Sequence, residues 1–135
     1  MDTEAVLRNN VDEALIEQLV RRFYQDVRSD LELGPIFAEA VAGDWEPHLR
    51  TMCAFWSSVM LTSGRYKGNP VLAHRRQTRI RPEHFDRWLA LFSVAASEIC
   101  RPDTAAAFVA KAANIAESLR LAIYFTLPAK VDRLS

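Results

Sequence analysis

Cysteine is scarce in this sequence, and its two residues form no pattern that indicates a metal site or a disulfide. Cys53 and Cys100 make neither a CxxC pair nor a cluster with the spacing of metal ligands. Each falls within a helical pattern of apolar residues, so we interpret both as reduced side chains that pack in the core. This excludes the common cysteine zinc sites and a disulfide-stapled scaffold.

Net charge and long apolar runs are missing as well. The 17 Lys and Arg residues balance the 17 Asp and Glu residues, so any basic site must be local, and we expect no nucleic-acid partner. No stretch approaches the roughly 18 uncharged residues of a membrane span, and the first residues are polar where a signal peptide needs an apolar core. We therefore expect no membrane partner and a cytoplasmic location.

Alternation of period two, which is typical of half-buried strands, is absent, whereas helical periodicity runs through almost the whole chain. We therefore predict an all-α fold. No internal repeat or low-complexity linker indicates a second domain, and half of the 135 residues are apolar, enough for one buried core. The prediction is a single domain over residues 1–135, with its core between about 12 and 127.

Capping residues and glycines predict the limits of the first helices. Asn10 with Glu13 resembles a capping box that opens a long helix with one apolar face. This helix is expected to end before the segment GPIF, residues 34–37. We interpret GPIF as a turn that leads into a short helical piece, which carries Phe37 and stops near Gly43.

Three further helices follow from the same signals. Asp44 is predicted to cap one that ends at Ser63 and Gly64, and a loop follows it. Pro82 opens the next, which Pro102 breaks. The last is predicted from about residue 104 to 127.

The segment NPVLAH, residues 69–74, places a histidine just after a proline. Asn69 can cap a short helix and Pro70 fits its first position, so His74 would lie about one turn in. The residues alone leave two interpretations open. His74 is either a core histidine with one hydrogen bond, or a ligand that a rigid turn holds in place.

Aromatic side chains gather on faces that also carry two inward-pointing histidines, His48 and His74. This arrangement suits a large flat apolar guest, although aromatic residues at helical spacing are more often plain core. A third histidine, His84, lies near the exposed start of a helix and is interpreted as solvated. The aromatic residues concerned are Phe23, Tyr24, Phe37, Phe55, Trp56, Phe85, Trp88 and Phe92.

Four segments, FYQDVRSDLELGPIF, DWEPHLRTMCAFW, YKGNPVLAH and HFDRWLALF, together resemble a truncated haemoglobin of the third group. Such proteins are compact globins, so the resemblance implies a two-over-two helical sandwich around haem b. It extends from about residue 12 to the final helix, with the same order and spacing. The glycine-pair motifs of the other truncated groups are missing, which agrees with the third group.

By this resemblance His74 matches the proximal histidine that binds the iron, and His48 matches the distal histidine. The chemistry agrees, because a five-coordinate haem iron needs one imidazole on one side and an open face on the other. His74 follows a proline-stiffened turn that can hold a ligand. His48 lies in the first turn of a longer helix, where it can swing toward solvent.

Tyr24 and Trp88 match the distal tyrosine and tryptophan of the family, whose O–H and N–H groups would donate to a polar ligand. The alternative is two core aromatics whose polar tips bond to backbone carbonyls or water. The resemblance also implies that three further residues contact the haem or line its pocket, namely Phe37, Met52 and Trp56.

A basic stretch follows the proximal turn. The two propionates of haem could pair with Arg75, Arg76 or Arg79, together with Lys67 or Tyr66. For any single residue of this set, a solvated basic loop explains the sequence equally well.

The sequence therefore predicts a haem protein that reversibly binds O2, CO and NO. A redox enzyme is the alternative: it would convert nitric oxide and O2 to nitrate, or activate peroxide, at the same site. The sequence holds no flavin or nicotinamide domain, so such an enzyme would need a separate reductase, and this favours ligand binding. A haem-free helical interaction module is the third possibility.

Overall fold

The structure is a computed structural model that describes residues 11–75 and 79–124, apart from the side chains of Leu72 and Arg75. These residues contain helices and no strand, which confirms the all-α prediction. Six helices occupy them: α1 (Glu13–Ser29), α2 (Leu33–Val41), α3 (Trp45–Leu61), α4 (Pro70–Arg75), α5 (Pro82–Ile99) and α6 (Pro102–Tyr124). None of the described helices has a segment long and apolar enough to cross a bilayer.

The core lies where α1, α3, α5 and α6 meet, and a stack of aromatic rings fills its centre. Phe92 of α5 lies parallel to Trp56 of α3, with ring centroids 4.9 Å apart, and parallel to Trp88, with centroids 5.6 Å apart. Phe23 of α1 meets Phe92 edge-on at 5.2 Å. Burying large aromatic side chains contributes roughly 1.5–3 kcal/mol each, so this stack is a main source of stability.

The start of α1 differs from the predicted capping box. The cap is Asp12, whose carboxylate accepts a hydrogen bond from the backbone N–H of Leu15 at 2.8 Å. Asn10 lies outside the described residues. The helix itself follows the prediction, with its apolar face buried and its last residue at Ser29.

The GPIF segment is helical and is not the predicted turn. The turn comes earlier, at residues 30–32, and α2 begins at Leu33. Pro35 fits there because backbone N–H groups in the first turn of a helix need no intrahelical acceptor. Gly34 lies against the end of α1, where an added Cβ would be 2.8 Å from the carbonyl oxygen of Arg28. The glycine therefore permits close packing of two helices.

Other limits agree closely with the sequence. Asp44 caps α3 by accepting from the backbone N–H of Glu46 at 3.1 Å, and α3 ends at Leu61, slightly before the predicted Ser63. Prolines open both α5 and α6. Cys53 and Cys100 are free and partly buried, as the sequence indicates.

Asp30 connects three elements beside the aromatic core. Its carboxylate accepts from the backbone N–H groups of Glu32 and Leu33, at 3.1 and 2.9 Å, at the start of α2. It also pairs with the guanidinium of Arg87 on α5 at 2.7 Å. The Asp30 side chain is only 7% exposed. Asp30 therefore fixes α2 against α5 through Arg87, the residue that precedes Trp88.

We expect Asp30→Asn to lower the free energy of unfolding by about 1–3 kcal/mol at neutral pH, because it removes a buried charge-assisted pair. The Arg87 hydrogen bond and two backbone donors lower the pKa of Asp30 to about 2, from 3.8. This stabilisation is therefore complete above pH 3.8 and is lost as the pH falls toward 2. Urea denaturation of both proteins over this range measures it.

Glu32→Gln is the matched control, because Glu32 lies 3.8 Å from the same guanidinium but is exposed. It should change stability by less than about 0.5 kcal/mol. Equal effects of the two substitutions would show that Asp30 has no special role.

Candidate functional site

A mainly apolar cavity of about 230 Å³ lies beside the core, and all six helices contribute to its walls. Leu33 and Ile36 of α2, Phe85 of α5 and Leu119 of α6 form much of the apolar surface. A small number of polar groups interrupt it, as is typical of sites for small molecules and cofactors. These polar side chains include Tyr24, His48, Tyr66, His74, His84 and Trp88.

His74 lies on α4 and its ring orientation is fixed by the backbone. Its Nδ1 atom is 2.7 Å from the carbonyl oxygen of Pro70, one turn earlier. A carbonyl can only accept, so Nδ1 carries a proton, and in the neutral ring the Nε2 atom keeps its lone pair. Metal-binding histidines commonly have this arrangement, in which the second nitrogen donates to a backbone carbonyl.

His48 lies in the first turn of α3 and is half-buried. Its Nε2 atom is buried and has no hydrogen-bond partner among the described residues. Two rings meet it edge-on, Tyr24 at 5.2 Å and Trp45 at 5.6 Å between centroids. Burial, and to a lesser extent the His74 imidazole, lowers the pKa of His48 below 6.5. His48 is therefore mostly neutral at pH 7, and the rings of Tyr24 and Trp45 hold it in place.

Tyr24 of α1 is 3% exposed and lines the same cavity. Burial raises the pKa of its phenol well above the ordinary value, and a hydrogen bond with Trp88 partly offsets the effect. Because an indole N–H can only donate, Trp88 donates to the Tyr24 oxygen. The hydroxyl proton of Tyr24 therefore stays in place at neutral pH and is available to another acceptor.

Phe37 and Met52 line the cavity, and the Phe37 ring lies edge-on to Tyr24 at 5.9 Å. Trp56 does not line it, contrary to the sequence interpretation. It is 2% exposed and stacks in the core, while Phe55 takes the place at the cavity wall. Successive residues of an α-helix are rotated by roughly 100°, so Trp56, eight residues after His48, points about 80° away from the direction of His48. Phe55, seven residues after His48, points only about 20° away.

The predicted propionate partners are distributed unevenly. Tyr66 lines the cavity, and its backbone N–H donates to Ser58 of α3 at 2.9 Å, which fixes the loop. Lys67 borders a second, more open cavity of about 430 Å³ that shares Tyr66. Arg79 is exposed and pairs with Glu39 of α2 at 2.7 Å, outside the cavity. Arg76 and the side chain of Arg75 lie outside the described residues.

His84 was interpreted as solvated, and this is wrong. It is half-buried on α5 and lines the cavity. The sequence spacing could have indicated this position at the cavity, because His84 precedes Trp88 by four residues and so shares its helix face. Pro82 opens the helix just before His84, so the sequence indicated an exposed helix end instead of a face shared with Trp88.

The structure thus brings together the following predicted residues at one cavity: Tyr24, Phe37, His48, Met52, Tyr66, His74 and Trp88. A family model of bacterial-like globins matches residues 11–120. The chain belongs to the bacterial-like globin family.

This globin is similar to the group 3 truncated haemoglobin ctb of Campylobacter jejuni. The two are 28% identical over 117 residues, which cover 84% of this chain and 92% of the relative. The crystal structure of a group III truncated haemoglobin from the same organism matches with a TM-score of 0.81, over 85% of this chain and 93% of the other, at 28% identity. The predicted resemblance and the globin fold are both confirmed.

Globins bind haem, and the residues of this globin's cavity fit that group. The walls are apolar on several sides, as a porphyrin requires. The Nε2 lone pair of a neutral His74 would hold the iron, and the buried Nε2 atom of His48 has no described partner of its own. A single imidazole is a sufficient protein ligand, because the porphyrin supplies the other four nitrogens.

Proposed function

We propose that this globin binds haem b and uses it to hold O2, CO and NO reversibly. His74 would bind the iron through Nε2, and Tyr24, Trp88 and His48 would surround the diatomic ligand. When bound, haem supplies an iron with one open coordination position. The observation that carries the proposal is the hydrogen bond of His74 to Pro70, which in the neutral ring leaves the Nε2 lone pair free in an apolar cavity.

The polar groups of the cavity support O2 as a ligand. The Tyr24 hydroxyl is a donor in a mainly apolar pocket, and Trp88 orients it by donating to its oxygen. Hydrogen bonds to a ligand with partial negative charge are stronger in such surroundings than in water. A neutral His48 adds no charge that would oppose ligand entry.

An absorption spectrum of the purified protein, as isolated, after reduction and with CO, tests the proposal. We expect a Soret band whose position shifts on reduction and again when CO is added. Protein that arrives without haem is titrated with hemin before the spectra are recorded. A protein that stays colourless and takes up no hemin would contradict the proposal and favour a haem-free interaction module.

We expect His48 to control ligand entry. Its neutral ring lies inside, held by the Tyr24 and Trp45 ring edges, and protonation favours an outward, hydrated position. Because the pKa of His48 is lowered, the inward form dominates at pH 7. CO association should therefore quicken roughly two- to tenfold as the pH falls from about 8 to about 5.

Flash photolysis of wild type and His48→Leu measures these rates. The leucine variant should show one CO association rate across the same range, because it has nothing to protonate. If the CO association rates of the two proteins depended on pH in the same way, control of ligand entry by His48 would be ruled out.

A further inference from the structure

His84 is a third imidazole at the cavity that the proposed ligand binding does not use. It occupies the first turn of α5, and its Nδ1 atom lies 2.9 Å from the backbone nitrogen of Arg81. That nitrogen carries a hydrogen, so Nδ1 is the acceptor and must be unprotonated. In the neutral ring the proton then sits on Nε2, and His84 presents an N–H group.

His74 and His84 therefore have opposite tautomers. In His74 the Nδ1 atom donates to a carbonyl, so Nε2 has a lone pair for a metal. In His84 the Nδ1 atom accepts from an N–H, so Nε2 is a donor and cannot bind a metal without losing its proton. Two histidines at one cavity are thus set for different tasks by the backbone groups they meet.

The position of His84 indicates which acceptor it meets. Nδ1 turns back to the start of α5, which leaves the Nε2 edge for the cavity that His84 lines. The ring is half-buried, so it lies at the rim rather than in the deep interior. Arg81 beside it is exposed and makes no ion pair within the part of the chain that the structure describes. A fixed N–H donor at the rim of an apolar cavity suits a carboxylate.

We propose that His84 donates from Nε2 to a carboxylate of the bound porphyrin, one of the two haem propionates. This inference rests on the proposed haem binding. The residue does not touch the diatomic ligand, so its function is to retain and orient the cofactor. It takes the place that the sequence offered to Arg79, which pairs with Glu39 instead.

The rate of haem transfer to an excess of an apo-globin acceptor tests this, with two porphyrins and three variants. The porphyrins are haem and haem dimethyl ester, in which both carboxylates are methylated. His84→Phe removes the donor and keeps a ring, and His84→Gln keeps an N–H donor. Glu83→Gln is the control, since Glu83 is an exposed neighbour that does not line the cavity.

We expect His84→Phe to release haem roughly tenfold faster than wild type does. For haem dimethyl ester, the variant and wild type should have the same release rate. His84→Gln should stay within about threefold of wild type, and Glu83→Gln within about twofold. Thermal unfolding of the apo variants checks that each is folded.

Three results would overturn the inference. Unchanged haem loss in His84→Phe would show that His84 contributes nothing to retention, while haem binding itself would stand. Equal acceleration with both porphyrins would show that His84 acts through packing. Failure of wild type to bind hemin would overturn the proposed function together with this inference.

Discussion

His74→Ala is expected to lose stable haem binding, with an affinity at least on the order of 100-fold below wild type. Substituting only the partner of a metal-bound histidine weakens binding by roughly 10–100-fold, so removing the ligand itself should exceed that. No other described histidine replaces it, because His84 presents an N–H group and His48 lies on α3 between Tyr24 and Trp45. Hemin titration and gel filtration of the loaded protein measure the loss.

Free imidazole provides a sharp second measurement. It should restore a Soret band to His74→Ala by entering the space that the side chain leaves, provided that the fold persists. His48→Ala is the matched control and should retain haem. If His74→Ala kept an unchanged Soret band and CO spectrum while His48→Ala lost haem, the proximal and distal assignments would be reversed.

Tyr24→Phe is expected to release O2 roughly ten- to a hundredfold faster than wild type. A hydrogen bond to a ligand with partial negative charge contributes about 1.5–3 kcal/mol, and phenylalanine keeps the ring while removing the donor. CO is much less polar, so its release should change little. Stopped-flow dissociation of O2 and CO measures both rates.

Trp88→Phe should have a smaller effect of the same kind, because Trp88 donates to the oxygen of Tyr24. Its influence on O2 then passes largely through the tyrosine. The double variant should resemble Tyr24→Phe alone, well short of the sum of the two effects. Wild-type O2 release in both single variants would make Tyr24 and Trp88 ordinary core aromatics. Additive effects would show two independent donors.

The O2 release rate also bears on the redox alternative. Very slow release is poorly suited to delivery and favours chemistry on the held ligand. One such reaction converts nitric oxide and O2 to nitrate and consumes one electron, which a separate reductase would supply. Nitrate formation with an added electron donor distinguishes that enzyme from a carrier.

Much of the fold could be predicted from the sequence, because helix ends depend on local chemistry. Asp44, Pro82 and Pro102 act within one helical turn, so their effect is visible in the sequence itself. GPIF misled the prediction because its fit depends on a distant contact. Gly34 allows α2 to approach the carbonyl of Arg28, and no local pattern shows that approach.

Most residues of the candidate site came from the family resemblance, which the family match now supports. Periodicity alone could not separate Trp56 from Phe55, because the two differ by one position on a face that drifts along the helix. Nor could it show which nitrogen of His74 or His84 carries the proton. That depends on whether the neighbouring backbone group is a carbonyl or an N–H, and only the folded structure shows it.

The parallel rings of Trp56, Phe92 and Trp88 have an evolutionary consequence. Trp88 orients the hydroxyl of Tyr24, and its own ring is set by Phe92, which is fully buried and does not line the cavity. We therefore expect a change at Phe92 to alter both the stability of the protein and the lifetime of the proposed O2 complex. Natural selection on either property would act on the same three rings, so in descendants of this sequence changes in core packing and in ligand release would be inherited together.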